Sequence, residues 1–323
     1  LLYFTAVGNF TTWVTGILKG FGELHQFSLE LSSVRSYIEA PEPFRMEGGK
    51  AIEPDTSLPY TLELRDVSFR YPGAEKDTLS HIDLTVRPGE KLAIVGLNGA
   101  GKTTAVKMMN GLHKPTQGDV IVNGVNTKER TTAQISHMVG YVFQNPDDQI
   151  FNTTVRAELE FWPKYQKLPQ EDMDARVARA VEMTGIRQYM DLNPYEIPYS
   201  TKKFVSIAAI LAVQTPYLVL DEPTAGQDIH GVNCLVHIMD TLRSEGKGVI
   251  VITHDMEFVA RNFERVIVMA HRHIIADGPV HEVFQNDEVL RAAAIQKPQI
   301  GQLAASLGHP DILFSEDLVK VLH

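Results

Sequence analysis

The sequence predicts an α/β protein: a mostly parallel sheet with crossover helices, an antiparallel β region ahead of it and a helical insertion inside it. Three observations carry this. Apolar runs at residues 92–95, 217–220, 249–252 and 265–269 are separated by helix-length spacers, the pattern of strands buried on both faces. Leu62 and Leu64, then Val67 and Phe69, then Leu84 and Val86 alternate with polar neighbours around a turn at Tyr71-Pro72-Gly73, as strands with one solvated face do. From about residue 145 to 204 charged helix formers dominate, among them Glu158, Glu171, Arg176 and Arg179, which reads as a helical insertion.

Length and charge narrow the function classes. The chain has 323 residues, about twice an ordinary domain of ~150. With 44% hydrophobic and 22% charged residues it has the balance of a globular protein with a sizeable core. Thirty Lys+Arg against forty Asp+Glu give a net charge of −10, without a basic block, so no nucleic-acid partner is expected. One cysteine, Cys234, excludes an internal disulfide and any multi-Cys metal site and fits a reducing compartment. Its apolar neighbours predict a buried side chain. A chain that opens on Leu1, without a secretory signal, is expected to be a trimmed product or a fragment.

Residues 1–18 carry no charge, just short of the ~20 apolar residues of a spanning helix. Lys19, Glu23 and His25 mark an exit into water, and Leu24, Phe27, Leu31, Val34 and Ile38 continue at helical spacing. Residues 1–40 therefore read either as an amphipathic helix packed on its own domain or as the end of a membrane helix. Pro41, Pro43, Gly48, Gly49, Pro54 and Pro59 make 41–59 a linker. Residues 60–278 form the main domain, and 279–323 a helical extension that supports dimerisation or packs on that domain.

Chemistry concentrates in two places. Gly96-Leu97-Asn98-Gly99-Ala100-Gly101-Lys102-Thr103-Thr104 satisfies the phosphate-loop pattern, and it follows an apolar strand and precedes a helix. Its glycines let backbone N–H groups point at phosphate oxygens, Lys102 reaches the β- and γ-phosphates, and Thr103 ligates Mg²⁺. The run Tyr217-Leu218-Val219-Leu220 ends in Asp221 and Glu222. Asp221 is expected to hold Mg²⁺ and Glu222 to polarise an attacking water; without the upstream loop such a pair could equally cap a helix. His271 and His273 are expected at a hairpin turn rather than a metal site.

Further stretches extend the set: Phe69-Arg70-Tyr71-Pro72-Gly73, Val142-Phe143-Gln144-Asn145-Pro146, Asp221-Glu222-Pro223-Thr224-Ala225-Gly226 with Asp228, and Thr253-His254-Asp255. In this order they resemble the ATP-binding cassette of the ABC transporter superfamily, from about Tyr60 onward. The resemblance implies a P-loop NTPase fold with a RecA-like core, an antiparallel β region and a helical subdomain at about 145–204, with ATP and Mg²⁺ bound. By this resemblance Tyr71 stacks on adenine, while Gly96, Asn98, Gly99, Ala100, Gly101, Lys102, Thr103 and Thr104 surround the phosphates. Gln144 touches Mg²⁺ and links the site to a membrane subunit, and His254 contacts the γ-phosphate. Thr103, Gln144 and Asp221 are then the metal set, with Glu222, His254 and Lys102 catalytic.

A finer resemblance divides the chain. From about Lys107 it is similar to the ATPase subunits of energy-coupling-factor importers of cobalt, nickel and vitamins, most clearly in Gly140-Tyr141-Val142-Phe143-Gln144-Asn145-Pro146-Asp147-Asp148-Gln149-Ile150-Phe151, in Asn110-Gly111-Leu112 and in the tail at 299–308. Residues 1 to about 90 instead resemble the last membrane helix, linker and cassette start of an ABC exporter. The two halves meet near the phosphate loop, as a recombination would leave them, with the N-terminal helix an exporter remnant.

One motif departs. Where the family has LSGGQ followed by Lys-Gln-Arg, this chain has Ile197-Pro198-Tyr199-Ser200-Thr201-Lys202-Lys203-Phe204. In the family that segment offers backbone N–H groups to the ATP of the opposite subunit. Pro198 has none, and Tyr199 puts a ring where close approach is needed; Ser200 or Lys202 could supply a substitute contact. A degenerate signature predicts a heterodimer with a second, intact ATPase subunit, joined to a transmembrane subunit at the cytoplasmic face of the cell membrane. The alternative is a non-hydrolytic or regulatory subunit, or an inert recombinant, that binds ATP without turnover.

Overall fold

The structure, a computed structural model, describes residues 61–322 apart from Pro310. The helix expected over 1–40, its reading as an exporter remnant and the linker at 41–59 lie outside the described residues.

Alternation makes the first strands one-faced. β1 (Leu62–Phe69) and β2 (Leu79–Val86) pair antiparallel with Leu64 opposite Leu84, both buried. β3 (Lys91–Val95) departs to a second sheet and leads through the glycine turn into α1 (Lys102–Met109). The chain returns as β4 (Gln117–Val122) and β5 (Val125–Asn126), joined at Asn123-Gly124, both at positive φ as a two-residue hairpin requires. The result is an antiparallel sheet in the order β2-β1-β4-β5.

A capped turn of helix, α2 (Thr132–Ile135), precedes β6 (Val139–Val142). Three helices follow: α3 (Val155–Tyr165), α4 (Gln170–Thr184) and α5 (Tyr199–Leu211). Helix α5 runs on past residue 204, because Val205, Ile207, Ala208 and Leu211 keep it buried to its end. Then β7 (Tyr217–Asp221), α6 (Ile229–Ser244), β8 (Gly248–Ile252), α7 (Met256–Asn262) and β9 (Arg265–Ala270) alternate. The second sheet has the order β10-β9-β3-β8-β7-β6, parallel except for β10 (His273–Pro279), which returns from β9 through a turn at His271-Arg272.

Period-two alternation divides this sheet between two cores. Leu92 and Ile94 face α1 and the antiparallel sheet, whereas Ala93 and Val95 face the layer of α6 and α7. Val219 and Ile250 join the first core, and Leu218, Leu220, Val249 and Val251 the second. Each large apolar side chain so buried is worth about 1.5–3 kcal/mol, which makes the carboxyl ends of β3 and β7 firm mounts for polar groups. Cys234 on α6 is half-buried rather than buried, with its thiol 3.5 Å from Met183 O.

The chain continues as α8 (Val280–Gln285), α9 (Asp287–Ala292), α10 (Gln299–Ser306) and α11 (Ser315–Leu322). Val280, Phe284, Leu290 and Leu313 are buried in the same core as α6, so this extension packs on its own domain. Among the described residues no helix is long and apolar enough to cross a membrane.

Gly140 of β6 lies where α5 crosses: a Cβ there would stand 2.3 Å from Ile210 Cγ2 and 2.9 Å from Thr215 Oγ1. Gly140→Ala is therefore expected to destabilise the fold by about 1–3 kcal/mol, read as a lower urea midpoint at unchanged m-value.

Candidate active site

The phosphate loop is shaped by what surrounds it. Gly96 leaves β3 at φ 142°, and a Cβ there would meet Met269 O at 2.1 Å. Gly101, at φ 98°, starts α1 with no side-chain cap among the described residues and no acid in the first turn. The first N–H groups of α1 are thus left to a ligand, and the helix dipole favours an anion. They open on a cleft of about 160 Å³ lined by Thr78, Asn98, Gly99, Gly101, Lys102, Thr103 and Thr104. Ala100 is buried behind it, while Asn98 and Gly99 are exposed at its rim.

Lys102 is buried, and its Nζ donates to Gly96 O at 2.7 Å and Leu97 O at 3.0 Å. Burial lowers its pKa, opposed by the charges of Glu222 and Asp221. Asp221, at the end of β7, accepts on Oδ2 from Tyr141 Oη at 2.8 Å and Thr103 Oγ1 at 3.2 Å. Burial holds its carboxyl above the ordinary carboxylate range, an effect that these two hydrogen bonds partly offset. A hydroxyl and a carboxylate oxygen meeting here are the hard donors Mg²⁺ prefers, so the residues present fit MgATP.

Glu222 takes φ 47°, a left-handed conformation that costs a non-glycine residue about 1–3 kcal/mol and is common at functional sites. Its N–H donates to Ile252 O at 2.9 Å. Its Oε2 lies 2.8 Å from Nδ1 of His254, whose side chain is 75% exposed. That approach is off the hydrogen-bonding direction, so Oε2 is buried with no aligned donor among the described residues. An acceptor left so would be satisfied by a water or a substrate proton. Asp255 caps α7 by accepting from Phe258 N at 2.9 Å, which fixes the loop carrying His254.

Other sequence-predicted residues behave differently. Tyr71 stands over the first turn of α1, its hydroxyl 3.3 Å from Thr104 Oγ1 and 3.4 Å from His113 Nε2. Its ring meets Phe69 and His113 edge-on and is partly exposed. Gln144 is exposed beyond β6 and makes no hydrogen bond among the described residues, so it is not brought against Asp221. Tyr141 is instead the residue on this side of the sheet that bonds Asp221; its position on the strand paired with β7, opposite Val219, was the available signal. His113 and Lys203 were also missed as site residues.

Pro198 precedes α5 without a side-chain cap, and the Tyr199 ring is exposed. The Lys202 Nζ pairs with Asp147 at 2.6 Å and lies 5.3 Å from the centre of the Tyr195 ring. Lys203 turns inward to the carbonyls of Glu222 and Ala225. A groove of about 600 Å³ separates Gly96, Leu97 and His254 from the tail at residues 294–299.

Lys102→Ala is expected to weaken MgATP binding at least tenfold, as loss of a charge-assisted contact worth about 1.5–3 kcal/mol implies; a fluorescent ATP analogue titration reads it. An aspartate whose native pKa is raised costs stability as pH rises from its unfolded value of about 3.9 through the native one. Asp221→Asn is therefore expected to raise the nucleotide-free melting temperature at pH 7 while abolishing the Mg²⁺-dependent stabilisation by ATP. Melting curves with and without MgATP check both.

Known proteins share this arrangement. The profile of the family described as ABC transporter matches residues 79–225. A Pyrococcus furiosus protein named as an ABC transporter ATP-binding protein is 41% identical over 259 residues, covering 80% of this chain and 98% of that one. The energy-coupling factor transporter ATP-binding protein EcfA of Methanothermobacter thermautotrophicus is 38% identical over 75% of this chain and 78% of its own. The solved structure of cbiO1 from Clostridium perfringens, part of the ABC transporter complex cbiONQ, has a TM-score of 0.66 at 31% identity, covering 77% of this chain and all of that one. With relatives this similar along nearly their whole length, the chain belongs to the ABC transporter family, as one of its ATP-binding cassettes, the transport-coupled ATPases that bind ATP with Mg²⁺.

Proposed function

We propose that this chain is the catalytically equipped half of an unequal pair. It hydrolyses MgATP opposite a second ATPase subunit with an intact signature, and drives an energy-coupling-factor-like transporter from the cytoplasmic face of the membrane. The observation that carries the reading is Glu222: a buried carboxylate with an unsatisfied oxygen beside His254, next to Lys102 and Asp221. Against it stands the start of α5, where Pro198 offers no N–H and Tyr199 projects its ring.

In this mechanism Tyr71 stacks on adenine, and the α1 N–H groups and Lys102 hold the phosphates, Lys102 exchanging loop carbonyls for phosphate oxygens. Mg²⁺, held by Thr103 and Asp221, neutralises phosphate charge when bound. Glu222 accepts a hydrogen bond from the attacking water and orients it in line with the γ-phosphorus, with His254 steadying the transferred group. Gln144, exposed beyond β6, is assigned to the metal set by its motif alone. The weak N-terminus of α5 would serve the partner's ATP, so one of the two shared sites would be slow.

A membrane subunit has a surface to meet. Phe151, Phe161 and Tyr165 are exposed and form an edge-to-face chain with Trp162, beside the loop that follows Gln144. Exposed aromatic clusters of this kind favour protein interfaces. That cbiO1 is part of cbiONQ, and that relatives are named for energy-coupling factor transporters, supports this partner. The cassette is assigned to residues 60–278 and the extension to 279–323.

Glu222→Gln is expected to keep MgATP binding and lower turnover about 10²–10⁴-fold, the usual share of a general base. Steady-state hydrolysis by the full chain, alone and mixed with an EcfA-type subunit, measures it. A specific rate that climbs with this chain's own concentration, without a partner, would remove the unequal pair. Binding without turnover in both conditions would place the chain among non-hydrolytic subunits.

A further inference from the structure

The mechanism above leaves unused a buried charge that lies against the turn after β7. Lys203 on α5 is 3% exposed, and its Nζ donates to Glu222 O and, at 3.2 Å, to Ala225 O. These two carbonyls bound the turn by which the chain leaves β7. Other backbone bonds also hold the turn, Glu222 N–H to Ile252 O at 2.9 Å and Gln227 N–H to Thr224 O at 3.1 Å, but the bond that closes it is long, the Ala225 N–H reaching Glu222 O only at 3.4 Å, and Pro223 has no N–H to give. Yet its first residue keeps the strained φ of 47°.

Glu222 is gripped from both sides of its Cα. Its N–H is fixed on Ile252 O and its carbonyl on Lys203, which restrains the backbone on both sides and hence the direction of the Cα–Cβ bond from which the carboxylate side chain extends. An apolar side chain would fill the space under α5 without burying a charge. Burial lowers the Lys203 pKa, and Glu222 and Asp221 oppose that shift, so this cation is sustained by the acids beside it.

We propose that Lys203 is the positioning residue for Glu222: it clamps the Glu222–Ala225 turn so that the carboxylate faces His254, and ties that carboxylate to α5. This rests on the hydrolytic role given to Glu222 above. Since the N-terminal end of α5 would face the opposite subunit's nucleotide, any shift of α5 reaches this chain's own Glu222 through one side chain.

The test uses two variants of the full chain, each mixed with an EcfA-type subunit for the kinetics. Lys203→Met keeps length and loses every donor; Lys203→Gln keeps two N–H groups and loses the charge. The expected result for Lys203→Met is a fall in kcat of at least tenfold, with KM for ATP within threefold of the parent and faster amide exchange over residues 222–228. Lys203→Gln recovers most of the rate and the protection. Unchanged kcat and unchanged exchange in Lys203→Met overturn the proposal. So does equal loss of melting temperature and KM in both variants, the sign of a packing role. If the parent chain shows no turnover even when mixed with an EcfA-type subunit, the hydrolytic reading fails by itself, and amide exchange over 222–228 still decides whether the clamp exists.

Discussion

Two carboxylates and two ammonium groups share the end of one sheet, where little water reaches them. Asp221 and Glu222 leave β7 buried, and Lys102 and Lys203 are buried against the backbone on either side. Any one of these charges alone would be expensive to hold in such a place. As a set they cancel, and each ammonium finds backbone carbonyls as well. The curl of the phosphate loop, the strained turn after β7 and the inward course of α5 are three backbone paths that meet at this set.

Two of these links leave α5 in opposite directions. Lys202 reaches out to Asp147 in the loop that follows β6, while the next residue reaches in to the turn after β7. A rigid helix carrying both joins the loop beside residues 144–151 to the turn that carries Glu222. Communication between a membrane partner and the nucleotide then needs no long pathway, only a helix that behaves as one body.

Much of this was written locally in the sequence, and the rest was not. Parallel strands buried on both faces leave continuous apolar runs, so β3, β7, β8 and β9 were legible, as was the glycine-rich turn whose pattern is set by backbone geometry. The helical insertion was bounded at about residue 204 because composition turns apolar at Val205, whereas its last helix, α5, continues against the core to Leu211. Tyr141 and Lys203 escaped because each acts across the fold, Tyr141 on a residue 80 positions away and Lys203 on one 19 away. Lys202 was read as a possible phosphate contact because spacing cannot show that Asp147 already holds it. Gln144 shows the converse: a motif placed it in the site, but β6 ends before it and leaves the side chain in solvent.

The bonds from Lys102 to Gly96 and Leu97 have a kinetic meaning. They hold the loop curled before any phosphate arrives, so the entropy of ordering residues 96–101 is lost once, when the chain folds, and not at every turnover. Nucleotide entry becomes an exchange of partners on a finished surface, limited by diffusion rather than by loop closure.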